Sequence, residues 1–411
     1  MGHVSRLEIR TAGAVDDWTL LRWTNGAGDA LNLAPPCAEG TATIPPAPFG
    51  IAYPAPLRGV GRVYLWGDGF PARAQQIVLE RDLAARYLEA AQARVRQYAR
   101  RGVPMETAQE RLQQAQSLHS EQQWAACLAA SVAAAEASVA SLARARLERM
   151  HGRTAFLWGV WAEATTDGEA SLSAFAPPLN LITFRKLDLS DGQHALLQQA
   201  QSMRAAVAAF WAGCDRFPQS VDALRDAIAA YRGSIRYWNI AAHLHRCEPS
   251  EPLTQQIGAL CEAGRAADFG IVRLLHGAHG FYEAHSPYVL LEQCTEAGAP
   301  YEAVHLEWQW YDGTLYDLDQ LLERYGELGK PIHLSISLPP EEGYSVFSRD
   351  EPLVWVEQAC LIALSKAYVV ALQVPLQATA FSAGALGADR QPSAYWQQIA
   401  QLAAWNASMW D

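Results

Sequence analysis

The sequence predicts an α/β protein whose larger part is a (β/α)8 TIM barrel, preceded by a small β-rich, jelly-roll-like domain and a helical spacer. Short apolar runs recur from Phe156 to the end of the chain, roughly 30 residues apart, which is the length of a strand–helix repeat. Almost continuous apolar strands are typical of a parallel sheet buried on both faces. Eight such repeats are the number that closes a barrel.

The β-rich domain is expected to span residues 1–80. Short apolar runs at 7–10, 18–23 and 62–66 are separated by clusters of Gly, Pro and Asn, which favour turns. The Pro-rich stretch 35–56 is predicted to be a loop, because proline cannot donate the hydrogen bond that a central strand needs.

The helical spacer is expected at residues 81–150, where Ala, Gln, Arg, Glu and Leu dominate and Gly and Pro nearly vanish. Gly102 and Pro104 fall close together and predict a turn between two helices, and a further break is expected near His119. No strict seven-residue repeat of large apolar side chains is present, which argues against a coiled coil.

The barrel is expected to occupy residues 151–411. A doubly wound open sheet is the competing architecture, but no G-x-G-x-x-G motif follows an early strand. The predicted strands are FLWGVW (156–161), LNLITF (179–184), AAVAAFW (205–211), IRYWNI (235–240), FGIVRLL (269–275), AVHLEW (303–308), PIHLSI (331–336) and AYVVAL (367–372).

Composition narrows the partners and the compartment. The 411-residue chain has a formal net charge of -11 and would repel a phosphate backbone, so no nucleic-acid partner is expected. The N-terminus lacks the apolar core of a signal peptide, and no apolar run approaches the ~18 residues of a membrane span. The 7 cysteines are scattered without a C-x-x-C motif, so reduced thiols in a cytoplasmic protein are expected.

The segment LDQLLERYGELGKPIHLS (318–335) is the most specific of several in the predicted barrel that resemble glycoside hydrolase family 10, the xylanase-type family. It resembles the family's seventh strand and the helix before it. GAPYEAVHLEW (298–308) resembles the sixth strand, IRYWNIAAH (235–243) the fourth, and GALGADRQPSAYWQQIAQL (384–402) the closing segment. The resemblance covers roughly residues 150–405 and implies the same barrel.

The positions that would carry the family's chemistry differ. The resemblance implies an acid/base glutamate after the fourth strand and a nucleophilic glutamate after the seventh, about 5–5.5 Å apart. Aligned without gaps, these positions hold His243 and Ile336. Isoleucine cannot form a glycosyl ester, so the family's double displacement is not expected. Glu341 and Glu342, a few residues downstream, leave relocated carboxylates as an alternative.

Glu307 and His243 are the candidate catalytic residues. Glu307 stands where the family has an amide on its sixth strand, and a raised pKa among neighbouring aromatic rings would make it a general acid or base. The imidazole of His243 transfers protons near neutral pH. The alternatives are a structural Glu307 paired with Arg185, Lys186 or a histidine, and a His243 that only fills space.

Further polar and aromatic residues follow the predicted strands, at the end of the barrel where such active sites lie. His243 and His245 are expected on one face of a strand, and with His276 and Glu307 they offer metal ligands. The alternative, which we favour, is a set of rim histidines without metal or cofactor. The candidate substrate-binding residues are Trp310, Trp211, His276, Arg185, Lys186, Tyr311 and His245.

Three functions follow from these residues. The first is a xylanase-like barrel repurposed for acid/base catalysis (cyclisation, elimination, isomerisation or atypical hydrolysis) on a small molecule, as in biosynthesis. The second is a pseudoglycosidase that binds a carbohydrate or a partner without turnover, and the third is a glycosidase with relocated carboxylates. The polar strand ends favour the first, because a decayed barrel is expected to accumulate apolar residues there. The oligomeric state stays open.

Overall fold

The N-terminal region is rich in β-strands, as predicted. The computed structural model describes residues 6–11, 17–31, 33–35, 41–43, 45, 48–70, 76–162, 172–187, 191–211, 220–280, 285–340 and 342–410. The first strands are β1 (Arg6–Arg10), β2 (Arg22–Asn25), β3 (Ala30–Leu31), β4 (Thr41–Thr43), β5 (Phe49–Leu57), β6 (Gly61–Phe70) and β7 (Gln76–Val78). β4, β1 and β7 form a three-stranded sheet, whereas β6, β5, β2 and β3 belong to a second sheet.

Strand β5 shows that the prediction of a loop throughout 35–56 is wrong. β5 pairs with β6 along its length, but β2 pairs only with residues 49–52. Pro54 and Pro56 lie beyond β2, where β5 has a strand neighbour on one side only. An edge position of this kind tolerates a residue without an amide hydrogen, so the prolines mark an edge rather than the absence of a strand.

Three helices follow: α1 (Leu79–Ala99), α2 (Glu106–Ser120) and α3 (Trp124–Arg149). The turn between α1 and α2 contains Gly102 with a φ of 75°, and the break between α2 and α3 lies next to His119, as predicted. Contrary to the expectation that no apolar run approaches the length of a membrane span, α3 is long and apolar enough to cross a membrane by length and composition, the one such helix in the described ranges. Half of its most apolar stretch is buried, and it packs closely on α1 and α2, as a core helix does.

The rest of the chain forms a closed barrel of parallel strands surrounded by helices, which confirms the predicted (β/α)8 architecture. All eight predicted runs are barrel strands. The strands are β8 (Leu157–Ala162), β9 (Leu179–Phe184), β10 (Ala206–Phe210), β11 (Tyr237–Ala241), β12 (Val272–Ala278), β13 (Ala303–Trp308), β14 (Ile332–Ile336) and, after a short β15 (Ser348–Arg349) outside the barrel, β16 (Val369–Pro375). The helices are α4 (Asp191–Ser202), α5 (Val221–Ala230), α6 (Glu251–Ala267), α7 (Pro287–Glu296), α8 (Leu315–Gly326), α9 (Pro352–Leu364) and α10 (Ala394–Ser408).

Strand β15 lies in the segment between β14 and α9, yet it completes the second N-terminal sheet, whose order is β15-β6-β5-β2-β3. Ser348 pairs with Arg62, and Arg349 pairs with Gly61. A side chain at Gly61 would collide with the backbone of Ser348, and its φ of 102° also favours glycine. The five-stranded sheet therefore contains residues from the predicted β-rich domain and from the predicted barrel domain. The domain boundaries at residues 80 and 150 stay a prediction.

The spacer helices are joined to the barrel by buried charges. Asp317 forms the capping box of α8 with Thr314, and it also accepts hydrogen bonds from Arg86 Nη1 at 2.6 Å and from the Tyr87 hydroxyl at 2.9 Å. Arg86 and Tyr87 belong to α1. One carboxylate thus begins a barrel helix and holds the spacer against it.

The cysteines depart in part from the expected reduced state. Cys247 is disulfide-bonded, whereas the free thiols in the described ranges are buried ones at Cys127, Cys261, Cys294 and Cys360. Burial raises the pKa of Cys261 and of Cys294 to about 12. The predicted Cys37 and Cys214 thiols lie outside the described residues.

Candidate functional site

The carboxyl ends of the barrel strands, which we call the barrel mouth, surround Glu307 near the end of β13. Arg185 Nη2 lies 2.9 Å from Glu307 Oε2, and His276 Nε2 lies 3.3 Å from the same oxygen. The side-chain amide of Gln309 donates to Glu307 Oε1 at 2.7 Å. Both carboxylate oxygens are therefore engaged by this chain's own groups.

The predicted raised pKa of Glu307 is wrong. Burial raises the pKa of this carboxyl, but the guanidinium of Arg185 and the hydrogen bond from His276 outweigh burial and hold the pKa well below its usual range. Successive strand residues point to opposite faces, so Glu307 faces the charged groups of the barrel interior while Trp308 faces outwards. Glu307 is consequently ionised at neutral pH and has no proton to donate.

His276 connects Glu307 to the fourth-strand segment. The backbone N–H of His243 donates to His276 Nδ1 at 3.1 Å. Because Nδ1 accepts, the proton of a neutral His276 is on Nε2, the atom that faces Glu307. His276 is completely buried, and this burial lowers its pKa despite the attraction of Glu307. The ring therefore serves as a fixed hydrogen-bond link between the two candidate catalytic residues.

His243 occupies the position at which the resemblance places the general acid/base. Its φ of 60° lies in the left-handed region, which few residues other than glycine and asparagine adopt. Burial, and then the neighbouring His276 and Arg246, lower the pKa of His243 to about 4. Its ring is therefore neutral at neutral pH and able to accept a proton.

The spacing of His243 and His245 suggested that both lie on one face of a strand, but they do not. β11 ends at Ala241, and a short 3-10 helix (Leu244–Arg246) places the two rings perpendicular, with centroids 5.6 Å apart. His245 Nδ1 accepts the backbone N–H of Ala278 at 2.9 Å, and burial lowers its pKa to about 3. Within the described ranges, no three or more His, Cys, Asp or Glu side chains are grouped to hold a metal ion.

Three buried polar atoms at the mouth have no hydrogen-bond partner in the part of the chain that the structure describes. They are Trp161 Nε1, Arg185 Nε and Gln309 Oε1, which we call the mouth ring. Each of these atoms belongs to a residue at the end of a barrel strand or directly after one. The predicted binding residue Trp211 does not belong to the mouth ring, because Phe210, the residue before it, points its ring at His276 and His305 inside the barrel and Trp211 therefore faces the other way. The guanidinium of Arg185 also lies 3.8 Å from the ring centroid of Trp161, so these two side chains hold one another in place.

Three candidate binding residues lie away from this group. Trp310 is fully buried and donates its indole N–H to the Phe381 carbonyl at 2.9 Å. Tyr311 stacks on Phe347, with centroids 4.7 Å apart, and its carbonyl accepts the backbone N–H of Tyr64 in β6. Tyr311 therefore contributes to the contact between the barrel and the N-terminal sheet. Lys186 is exposed, with no ion pair to Glu307.

A polar layer beneath the mouth was not predicted. His305 Nε2 faces Ser335 Oγ at 2.7 Å and Gln373 Nε2 at 3.1 Å, and His305 Nδ1 faces Asn239 Oδ1 at 3.0 Å. The amide oxygen of Asn239 only accepts, so Nδ1 of His305 carries the proton. The ring of His305 lies 4.9 Å from that of His276. Polar residues alternating with apolar ones inside β13 and β14 were the signal in the sequence.

This architecture defines a TIM-barrel protein, and comparison with solved structures finds xylanases of glycoside hydrolase family 10. An endoxylanase from a sugarcane soil metagenome shares 10% identity, with a TM-score of 0.46, over 60% of this chain and 97% of its own. A xylanase from Thermobacillus composti shares 12%, with a TM-score of 0.44, over 60% and 97%. An intracellular xylanase from Thermoanaerobacterium saccharolyticum shares 12%, with a TM-score of 0.45, over 61% and 97%. No protein-family model and no curated protein matches the sequence.

Proposed function

We propose that this protein is a divergent xylanase-like barrel that binds a sugar-like, polyhydroxylated molecule at its mouth without retaining glycoside hydrolysis. The observation that carries the proposal is the mouth ring of three buried polar atoms without a partner among the described residues. A buried polar atom without a partner costs about 1–3 kcal/mol. Hydroxyl groups both donate and accept hydrogen bonds, so one polyhydroxylated ligand is able to pair with the indole and guanidinium donors and with the amide oxygen.

Two positions in the barrel argue against hydrolysis. Ile336, at the position of the nucleophile, is completely buried and has no oxygen to form a glycosyl ester. Glu307 is ionised and engaged at both oxygens, so it is not a proton donor to a leaving group. Retaining hydrolysis needs one carboxylic acid and one carboxylate facing the same bond. Glu341, one of the two alternatives, lies outside the described residues.

Acid/base catalysis on a small molecule is the second candidate. The left-handed backbone of His243 supports it, because strained residues concentrate at active sites. In this function the neutral imidazole of His243 accepts a proton, and Glu307 acts as an anion that orients His276 and Arg185. The roles thus differ from the predicted acid and base pair, since Glu307 supplies charge and position only.

We also propose that the protein is cytoplasmic. One of the similar xylanases is described as intracellular. The disulfide bond of Cys247 argues in the opposite direction, because such bonds are rare in reducing compartments. The acidic net charge continues to argue against a nucleic-acid partner.

The binding proposal is tested by calorimetry with xylo- and cello-oligosaccharides. Trp161→Phe removes an indole N–H but keeps an aromatic ring, and it is expected to weaken binding about tenfold, the equivalent of one hydrogen bond. Trp355→Phe is the matched control, because its indole N–H is also buried and unpaired but lies in α9. Absence of oligosaccharide binding, or equal effects of the two changes, would contradict the proposal.

The loss of hydrolysis is tested with aryl xylosides and aryl cellobiosides. We expect no release of the aryl group above the buffer rate, and enzymatic release by the unmodified protein would show that relocated carboxylates are active. The second candidate is tested by incubating each bound oligosaccharide with the protein and following it by NMR. A product that His243→Gln abolishes while binding persists would favour catalysis over binding alone.

A further inference from the structure

We infer a second binding site, for a neutral polyhydroxylated ligand such as an oligosaccharide, in a cleft between β6, α1, α8 and the outer face of β13. This side cleft has a volume of about 670 Å³, and its lining includes Trp66, Asp68, Glu89, His279 and Trp308. Ligand sites commonly have volumes of about 300–1,000 Å³. The cleft is therefore large enough for a ligand of several sugar rings.

The side cleft is distinct from the mouth, although both use β13. Neighbouring residues of a strand point to opposite faces, and Glu307 contacts Arg185 and His276 in the mouth whereas Trp308 lines the side cleft. Neither Trp308 nor His279 contributes to the mouth ring. The inference consequently does not rest on the proposed function of the mouth.

Two unpaired polar atoms point to a ligand in this cleft. Trp308 is only 2% exposed, and its indole Nε1 has no hydrogen-bond partner among the residues that the structure describes. The same holds for His279 Nδ1, a buried atom of a ring that stacks on Trp308 at an interplanar angle of 11°. An indole N–H is only a donor, so the missing partner of Trp308 must be an acceptor.

The basic side chains of the cleft are already paired. Arg86 Nη1 lies 2.6 Å from Asp317, and Arg324 Nη1 lies 2.7 Å from Asp29. Burial lowers the pKa of His279 to about 4, so its ring adds no positive charge at neutral pH. An anionic ligand would therefore find no unpaired cation among these groups.

Two acidic side chains of the cleft differ from the basic ones in that they are not paired with described residues. Asp68 and Glu89 are exposed at the cleft and form no hydrogen bond or ion pair with the described residues. These carboxylates repel an anion and accept hydrogen bonds, whereas an ammonium group would not accept the N–H of Trp308. A hydroxyl group donates to the carboxylates and accepts from the indole. The combination selects a neutral polyhydroxylated ligand over a charged one.

The test is calorimetry of the full chain with xylohexaose and cellohexaose as probes. We expect Trp308→Phe to weaken binding at one site about tenfold or more, and the exposed pair Asp68→Asn with Glu89→Gln to weaken the same site. Trp355→Phe, the remote buried indole, is expected to change nothing. Because Asp68 and Glu89 are exposed, their double variant keeps the test valid even if Trp308→Phe does not fold.

The outcomes separate this inference from the function proposed for the mouth. Binding that responds to Trp308→Phe but not to Trp161→Phe would support the side cleft and contradict the mouth. Binding that responds only to Trp161→Phe would overturn the side cleft, and so would a lack of binding by both probes. Spermine or inorganic phosphate binding that depends on the two carboxylates, without oligosaccharide binding, would also overturn it.

Discussion

Arg185 and Glu307 form an ion pair at the mouth of the barrel, with 2.9 Å between Nη2 and Oε2 and both side chains largely buried. Taking two charges out of water is costly, and their mutual attraction offsets that cost only while both are present. A substitution at Glu307 therefore changes folding as well as chemistry. This relationship makes stability measurements necessary before any loss of activity at Glu307 is assigned to a catalytic role.

The ion pair predicts strong coupling between its partners. Glu307→Gln and Arg185→Met are each expected to lower the free energy of unfolding by about 3 kcal/mol, because each leaves an uncompensated buried charge. The double variant should lose clearly less than the sum of the two single losses. Urea denaturation of the four proteins measures the cycle, and additive losses would show that the two charges are independent.

We expect acid to lower the free energy of unfolding, and His333 in β14 is one residue that causes this. Burial lowers the pKa of this fully buried ring from 6.5 to about 4. Between these values the unfolded chain binds a proton that the folded chain excludes, so the free energy of unfolding falls as pH falls. This residue alone should lower the free energy of unfolding by about 2 kcal/mol at pH 5 relative to pH 7.5.

His333→Phe tests that contribution, since phenylalanine keeps a ring next to Tyr237, whose centroid lies 4.9 Å from that of His333. The variant should lose less stability than the unmodified protein when urea denaturation is repeated at pH 7.5 and pH 5. The difference between the two losses should be about 2 kcal/mol. Parallel pH profiles would mean that the buried ring becomes protonated without cost.

The contact between spacer and barrel predicts unequal effects at two neighbouring residues. Thr314→Ala removes a helix cap and should lower the free energy of unfolding by about 1 kcal/mol. Asp317→Ala removes the cap and also leaves Arg86 and Tyr87 without their acceptor, so a loss of about 3 kcal/mol is expected. Equal losses in thermal or urea denaturation would mean that Arg86 contributes nothing to the contact.

The four buried free thiols in the part of the chain that the structure describes should be protected from alkylation in the folded protein. Cys127, Cys261, Cys294 and Cys360 are buried, and burial raises the pKa of each. Because the thiolate is the reactive form, iodoacetamide should modify these residues in urea but not in buffer. Peptide mass spectrometry reads each site separately, and rapid modification in buffer would show local opening of α3, α6, α7 or α9.

The sequence was sufficient to predict the barrel, because each strand is a compact apolar run and the spacing of such runs is a local property. Pairing of Glu307 with Arg185 or a histidine was one of the alternatives, but the sequence did not decide between it and a raised pKa. The low pKa of Glu307 depends on Arg185, which comes from another strand, and on the direction in which β13 points its side chains. Trp310 was predicted to bind substrate because it follows the same strand, yet it is fully buried.

Strand β15 was missed for a related reason. Two residues have no measurable periodicity, and Ser348 and Arg349 do not resemble a strand. Their pairing with Arg62 and Gly61 is decided by where the barrel places the segment after β14. Short edge strands of this kind depend on the tertiary fold rather than on local preference.

The position of β15 late in the chain also determines when the second N-terminal sheet is completed during synthesis. β6 gains its outer neighbour only when residues 348 and 349 have been made and the barrel has brought them back to it. While the chain is still emerging from the ribosome, β6 presents an unpaired edge that is able to recruit another nascent chain. The N-terminal sheet therefore begins first but gains its last strand only after seven of the eight barrel strands have been made, and before β16, which closes the barrel, is made.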